Sequence, residues 1–77
     1  IGNVELYPNP NDGSFTVTGN NIVAVDIYNA NGQLIEQRHI ASVNHLFVKP
    51  KAKLTEGIYF VKIITQNAIV VKKIMVE

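Results

Sequence analysis

Seventy-seven residues, 47% of them hydrophobic, make one domain near the small end of what folds unaided, because so short a chain buries only about 60% of the surface it exposes when unfolded. No cysteine is present, which excludes disulfide staples, thiol catalysis and cysteine-ligated zinc while leaving the compartment open. A net charge of +1 is too small for a general nucleic-acid footprint, and there is no apolar run of ~18 residues that could cross a membrane as a helix.

The charge is unevenly laid out. Residues 1–48 carry Glu5, Asp12, Asp26 and Glu36 against Arg38, whereas residues 49–77 carry Lys49, Lys51, Lys53, Lys62, Lys72 and Lys73 against Glu56 and Glu77. A basic end can be a partner surface, and lysines also guard edge strands against aggregation. The opening Ile1-Gly2-Asn3 has neither the charged nor the apolar region of a signal peptide, so residues 1–77 read as a single domain excised from a larger protein.

Val4 to Tyr7 alternates apolar and polar residues and predicts a short first strand. In the PNPNDG stretch that follows, Pro8 and Pro10 fix φ and push Tyr7 and Asn9 toward extended geometry, while Asp12-Gly13 supplies a tight turn. The result is a rigid corner. It is not read as a calcium loop, because acidic ligands are too few and the spacing is not that of an EF-hand.

Ser14 to Thr18 predicts a half-buried strand with Phe15 and Val17 on one face, and Gly19-Asn20-Asn21 is expected to break it. Ile22 to Asn29 is the next strand, with Val23, Val25 and Ile27 inward and Ala24, Asp26 and Tyr28 outward. Asn31-Gly32 turns the chain into a strand over Gln33 to Ile40. A two-residue turn would set Ile27 opposite Glu36. A three-residue loop, Ala30-Asn31-Gly32 with Gly32 in the left-handed region, sets Ile27 opposite Ile35 and is preferred, although it places Asp26 opposite Glu36 at a mild like-charge cost.

Ala41 to Asn44 reads as a connector, and His45 to Val48 as a short strand ended by Lys49-Pro50. Lys51 to Glu56 is a loop whose Leu54 plugs the core edge. The strongest pattern is the last: Ile58 to Thr65 and Ile69 to Val76 are runs of β-branched and aromatic residues parted by Gln66-Asn67, which predicts a hairpin opened by Gly57. Tyr59, Val61 and Ile63 share one face, and Ile58, Phe60, Lys62 and Ile64 the other. A strand apolar on nearly both faces belongs in the middle of a sheet. Six to seven short strands with turn signals between them and no helical period predict an all-β fold, a small antiparallel β-sandwich of immunoglobulin-like type.

Chemistry is hard to place on this framework. His39 and His45 lack a carboxylate or thiol at ligand spacing, Ser14 and Ser42 lack a nucleophile-elbow context, and an Asp26–Glu36 pair in a solvated sheet has no reason for separated pKa values. No metal, cofactor or enzymatic activity is expected. With no Trp, and with Tyr7, Phe15, Tyr28, Phe47, Tyr59 and Phe60 mostly at core-like positions, a carbohydrate platform is not expected either.

Taken together, Tyr7-Pro8-Asn9-Pro10 with Gly13 and Phe15, Val25-Asp26-Ile27-Tyr28 with Gly32, Leu54 with Gly57-Ile58-Tyr59-Phe60-Val61-Lys62, and Lys73-Ile74-Met75-Val76 resemble the type A C-terminal sorting domain of the Por, or type IX, secretion system of Bacteroidetes. The resemblance spans Val4 to Glu77. It implies the tail of a secreted protein whose N-terminal cargo crosses the periplasm and leaves through the outer-membrane translocon, to be released or attached at the cell surface by a sortase-like peptidase. It implies an address, not a catalyst. Carried over to this sequence, Pro8, Asn9, Pro10, Gly13, Gly32, Gly57 and Tyr59 are structural motif positions, and Lys72, Lys73, Ile74 and Val76 match the terminal segment that partners recognise. On that basis Lys73→Ala with Val76→Ala is expected to leave the fold largely intact and to block export. An open terminal edge would permit β-augmentation by a receptor, or a dimer through sheet edges. The rival reading is a structural or adhesive β-sandwich module of a secreted protein.

Overall fold

The computed structural model describes residues 3–77; Ile1 and Gly2, the first two residues of the domain expected over 1–77, lie outside the described residues. Five antiparallel strands form one hydrogen-bonded sheet: β1 (Glu5–Tyr7), β2 (Phe15–Asn29), β3 (Leu34–Val48), β4 (Gly57–Thr65) and β5 (Ile69–Val76). The all-β, antiparallel reading holds. The expected six to seven strands do not, because two expected breaks are absorbed inside continuous strands, β2 and β3, each of 15 residues.

The first of these is Gly19-Asn20-Asn21. The β2–β3 register runs Thr18↔His45, then Ile22↔Val43, then Ala24↔His39. An excess of residues on β2 is followed by a matching excess on β3, so the ladder resumes in its original phase beyond the bend. Asn21 adopts φ 60°, its N–H donates to Asn44 Oδ1 at 2.9 Å, and Ser42 Oγ donates to its Oδ1 at 3.0 Å. Residues expected to end two strands thus bond to one another across the bulge, which bends both strands without stopping them. The expected connector at Ala41–Asn44 is the other side of this bend.

Because β2 bends, its first half pairs β1 (Leu6↔Val17) and its second half pairs β4 (Val25↔Ile63) along the same edge, while β3 follows the other edge throughout. The two arms share one core, in which Phe15, Val17, Ile22, Val25, Ile27, Val48, Val61, Ile63, Ile74 and Val76 are essentially fully buried. The inward set differs from expectation: Val23 is half-buried, while Ala24 and Asp26 are buried on the opposite face between β3 and β4. Among the aromatics only Phe15 and Tyr59 are fully in the core, and Phe47 is 61% exposed.

The β2–β3 turn is a three-residue loop as expected, with Asn29 N–H bonded to Gln33 O at 2.9 Å and Gly32 at φ 85°, in the left-handed region that glycine enters freely. Its expected register is overturned. Ile27 lies opposite Glu36, and Asp26 opposite Gln37, because a register shift between Ile27 and Tyr28 places Tyr28 opposite Leu34 and leaves Ile35 as the extra residue. The shift removes the Asp26–Glu36 opposition, and on the other edge of β2 Asp26 lies opposite Lys62 of β4.

The terminal hairpin matches the sequence expectation closely. It closes through Thr65 N–H to Ala68 O at 2.9 Å, and β4 lies between β2 and β5. Leu54, 6% exposed, plugs the core edge as expected.

Candidate functional site

The two segments singled out at opposite ends of the sequence meet on one edge of the sheet. β5 pairs β4 on one side only, and by antiparallel alternation Ile69, Val71, Lys73 and Met75 turn their N–H and C=O groups away from β4. The PNPN corner clasps the last part of that edge. Asn9 Nδ2 donates to Lys73 O at 3.0 Å and Asn9 Oδ1 accepts from Met75 N–H at 3.0 Å. Asn11 N–H donates to Met75 O at 3.0 Å, and Asn11 O accepts from Glu77 N–H at 2.9 Å, forming a parallel bridge opposite Val76.

This geometry follows from local chemistry. Pro8 and Pro10 have no N–H to donate, so the corner's donors toward the edge come from residues 9 and 11. Both are asparagine. Asn11 is buried and holds the corner's shape: its Nδ2 donates to Pro8 O at 3.0 Å and its Oδ1 accepts from Gly13 N–H at 2.9 Å. Gly13, at φ 105°, sits where an added Cβ would lie 3.7 Å from Leu54 Cβ and 4.0 Å from Val76 Cγ1, so corner, plug and β5 converge there.

Tyr59 completes the arrangement. It is buried opposite Ile74, and its hydroxyl donates to Thr55 O at 2.7 Å, tying the loop before β4 to the strand. Gly57 opens β4 opposite Val76. Gly32 stands apart at the β2–β3 turn, with nothing within 4 Å of where its Cβ would be.

The four terminal residues divide by face. Ile74 and Val76 are each 1% exposed and belong to the core. Lys73 is exposed, and Lys72 is half-buried at the edge. Among the described residues neither lysine has a carboxylate within ion-pairing distance, the single ion pair being Arg38–Glu36 at 2.6 Å. The outward face of β5 is completed by Ile69, Val71 and Met75, which are 64%, 58% and 45% exposed. Sequence reading missed Asn11 and these three apolar residues. The alternation of Pro with Asn in PNPN was the available signal for Asn11, and the odd positions of IVVKKIM for the face.

Away from this edge, Glu36 accepts from Lys51 N–H at 2.8 Å and from Arg38, which also donates to Lys49 O at 3.1 Å. Burial opposes ionisation of Glu36, but the Lys51 N–H and the Arg38 guanidinium outweigh it and hold the carboxyl below its ordinary value. Asp26 is buried with Oδ1 unpartnered. His39 and His45 are both exposed on β3.

No curated protein matches the chain. The family model described as the secretion system C-terminal sorting domain matches residues 5–77, and so covers all five strands together with the clasp. On that match the chain belongs to the family of secretion system C-terminal sorting domains, which are C-terminal secretion signals of the type IX system and are not an enzyme family.

Proposed function

We propose that the export machinery reads this domain in its folded form, at the edge where the PNPN corner meets β5. The observation that carries this reading is the clasp: Asn9 and Lys73, 64 positions apart, are joined by a hydrogen bond, so both family segments form one surface only in the folded state. Within that surface Lys72 and Lys73 are the contact residues, and Ile74 and Val76 hold the strand in place from inside. The domain is the tail of a larger secreted protein. Its N-terminal cargo passes through the periplasm and the outer-membrane translocon, after which a sortase-like peptidase removes the domain and attaches the cargo at the cell surface.

We also read the bent sheet as a minimal immunoglobulin-like sandwich, its two arms acting as the two layers. The Tyr59 hydroxyl bonded to the backbone four residues upstream supports this, because sandwiches use the same tyrosine device at a corner. The exposed apolar face of β5 favours, as a second reading, an adhesive module or an edge-paired dimer.

A fluorescent reporter carrying a signal peptide and fused ahead of residues 1–77 tests the proposal, in a host with and without a working type IX translocon. Export that requires the translocon, and that falls sharply for Lys72→Ala with Lys73→Ala while the domain stays folded, is the expected result. A folded wild-type fusion left in the periplasm of a competent host would shift the reading to the adhesive module. Lys73→Ala with Val76→Ala is the poorer test, because truncating Val76 removes core packing as well.

A further inference from the structure

The clasp covers only part of the free edge of β5. Toward the start of the strand, Ile69 and Val71 and the N–H of Lys73 have no hydrogen-bond partner among the described residues, while Lys73 O and both polar groups of Met75 are taken by Asn9 and Asn11. This open stretch does not face bulk water alone. A cleft of about 350 Å³ lined by Glu5, Leu6, Tyr7, Asn9, Lys72 and Lys73 separates it from β1. A second cleft, of about 710 Å³, has Val4 on one side and Thr65, Ala68 and Val70 on the other. β1 itself pairs only β2, so it too presents an unpaired edge.

We propose that the gap between β1 and β5 is a strand-addition slot, which takes an extended, acidic segment of a partner protein in which carboxylates alternate with apolar residues. Three features specify that occupant. Alternating unpaired N–H and C=O groups on β5 are satisfied together only by extended backbone. Val70 of β5 and Leu6 of β1 turn inward against the core at the two clefts, so the apolar side chains of the added strand face inward with them. Lys73 stands outward at the slot and, although Glu5 lines its far side on β1, β5 carries no acid from Ile69 to Met75, so carboxylates turned outward along β5 complement it, whereas a second copy of β5 would bring its own two lysines to the seam. Asn9 sets the end of the slot, since a strand running past Lys73 meets its carboxamide. The inference rests on the reading of β5 as the contact strand of the export signal and names the kind of partner it takes.

The test uses the 77-residue chain and blocked synthetic peptides of roughly eight residues with alternating Val and Glu, followed by amide NMR and hydrogen exchange. The acidic peptide is expected to shift and protect the amides of Ile69, Val71 and Lys73 and to bind about tenfold more tightly than its Val/Lys counterpart. Methylating alternate peptide nitrogens should abolish protection, and Lys73→Glu should reverse the charge preference. Val71→Pro removes an N–H that β4 does not use, so it should block binding while the β2 and β4 amides keep their positions. Equal binding of both peptides, or shifts that leave those three amides unprotected, would overturn the proposal. Protection of the same amides without peptide, rising with protein concentration alongside a doubled mass, would assign the slot to a second copy and overturn it as well. The two readings fail separately: a wild-type reporter that stays inside sinks the export reading, whereas normal export of the Val71→Pro reporter sinks only the slot.

Discussion

The two long hairpins are built on different principles. β4–β5 keeps an unbroken register from Gly57↔Val76 to Ile64↔Ile69, and apolar alternation sets which face it buries. β2–β3 is bent and shifts register three times, and polar side chains hold its irregular points: Asn21 with Asn44 and Ser42 at the bend, and Glu36 with Arg38 and Lys51 near the turn. The bend lets one strand pair both β1 and β4, so the whole fold depends on it. The difference shows two routes to one sheet, one specified by burial and the other by hydrogen bonds that replace a missing ladder.

Truncating the burial-specified hairpin should have the largest effect. Ile74→Ala removes a side chain that is 1% exposed and should cost about 3 kcal/mol, from lost transfer energy and the cavity left behind. Its neighbour Met75, 45% exposed and on the other face, should cost under about 0.5 kcal/mol as alanine. Chemical denaturation of the pair measures the contrast directly. Similar losses would mean that β5 is not held by one face.

The bend comes next. Asn21 at φ 60° tolerates glycine, but a β-branched residue there is strained, so Asn21→Val should cost about 2 kcal/mol and Asn21→Gly clearly less. If the two variants were equally stable, the bond to Ser42 and not the backbone would hold the bend. This position also explains what the sequence disclosed. Alternation over Ile58–Thr65 and Ile69–Val76 left one way to bury the hairpin, so its bounds were readable within a residue. At Gly19-Asn20-Asn21 the same residues favour a chain break or a bulge, and the choice lies with Asn44 and Ser42, more than 20 positions away. The strand count was misread for that reason. The register beyond Gly32 was misread because the extra residue, Ile35, packs partly buried against the core, which no local pattern encodes. For the site, resemblance picked out Asn9 and Lys73 but not their contact, and apolarity alone could not tell that Ile74 and Val76 point inward while Val71 and Met75 point out.

Smaller in expected effect is the clasp, which adds polar support at the free edge of β5. Asn9→Ala removes two hydrogen bonds, but both are exposed and water can replace them, so the cost should be about 1 kcal/mol. The sharper readout is local: amide exchange at Met75 should accelerate, while that at Ile74, bonded to β4, should change little. Parallel acceleration of both would show that the corner holds the whole strand and not just its free edge.

The smallest expected effect separates the hairpins by pH. Glu36 ionises more readily folded than unfolded, because the Lys51 N–H and Arg38 outweigh the opposing effect of burial. A carboxyl with a depressed folded-state pKa contributes stability above its unfolded value, and that contribution is lost as pH falls through the folded value. Glu36→Gln should therefore be less stable than the parent by about 0.5 kcal/mol at neutral pH, with the gap closing as pH drops below the ordinary glutamate range near ~4.3. Denaturation midpoints of both proteins across that range test this. The β4–β5 hairpin supplies the control: Ile74 packs against apolar neighbours, so the Ile74→Ala gap should stay constant over the same pH range. If the Glu36→Gln gap were equally constant, the carboxylate would act through its shape and neutral hydrogen bonding, and charge would have no part in holding the β2–β3 hairpin to the loop at Lys51.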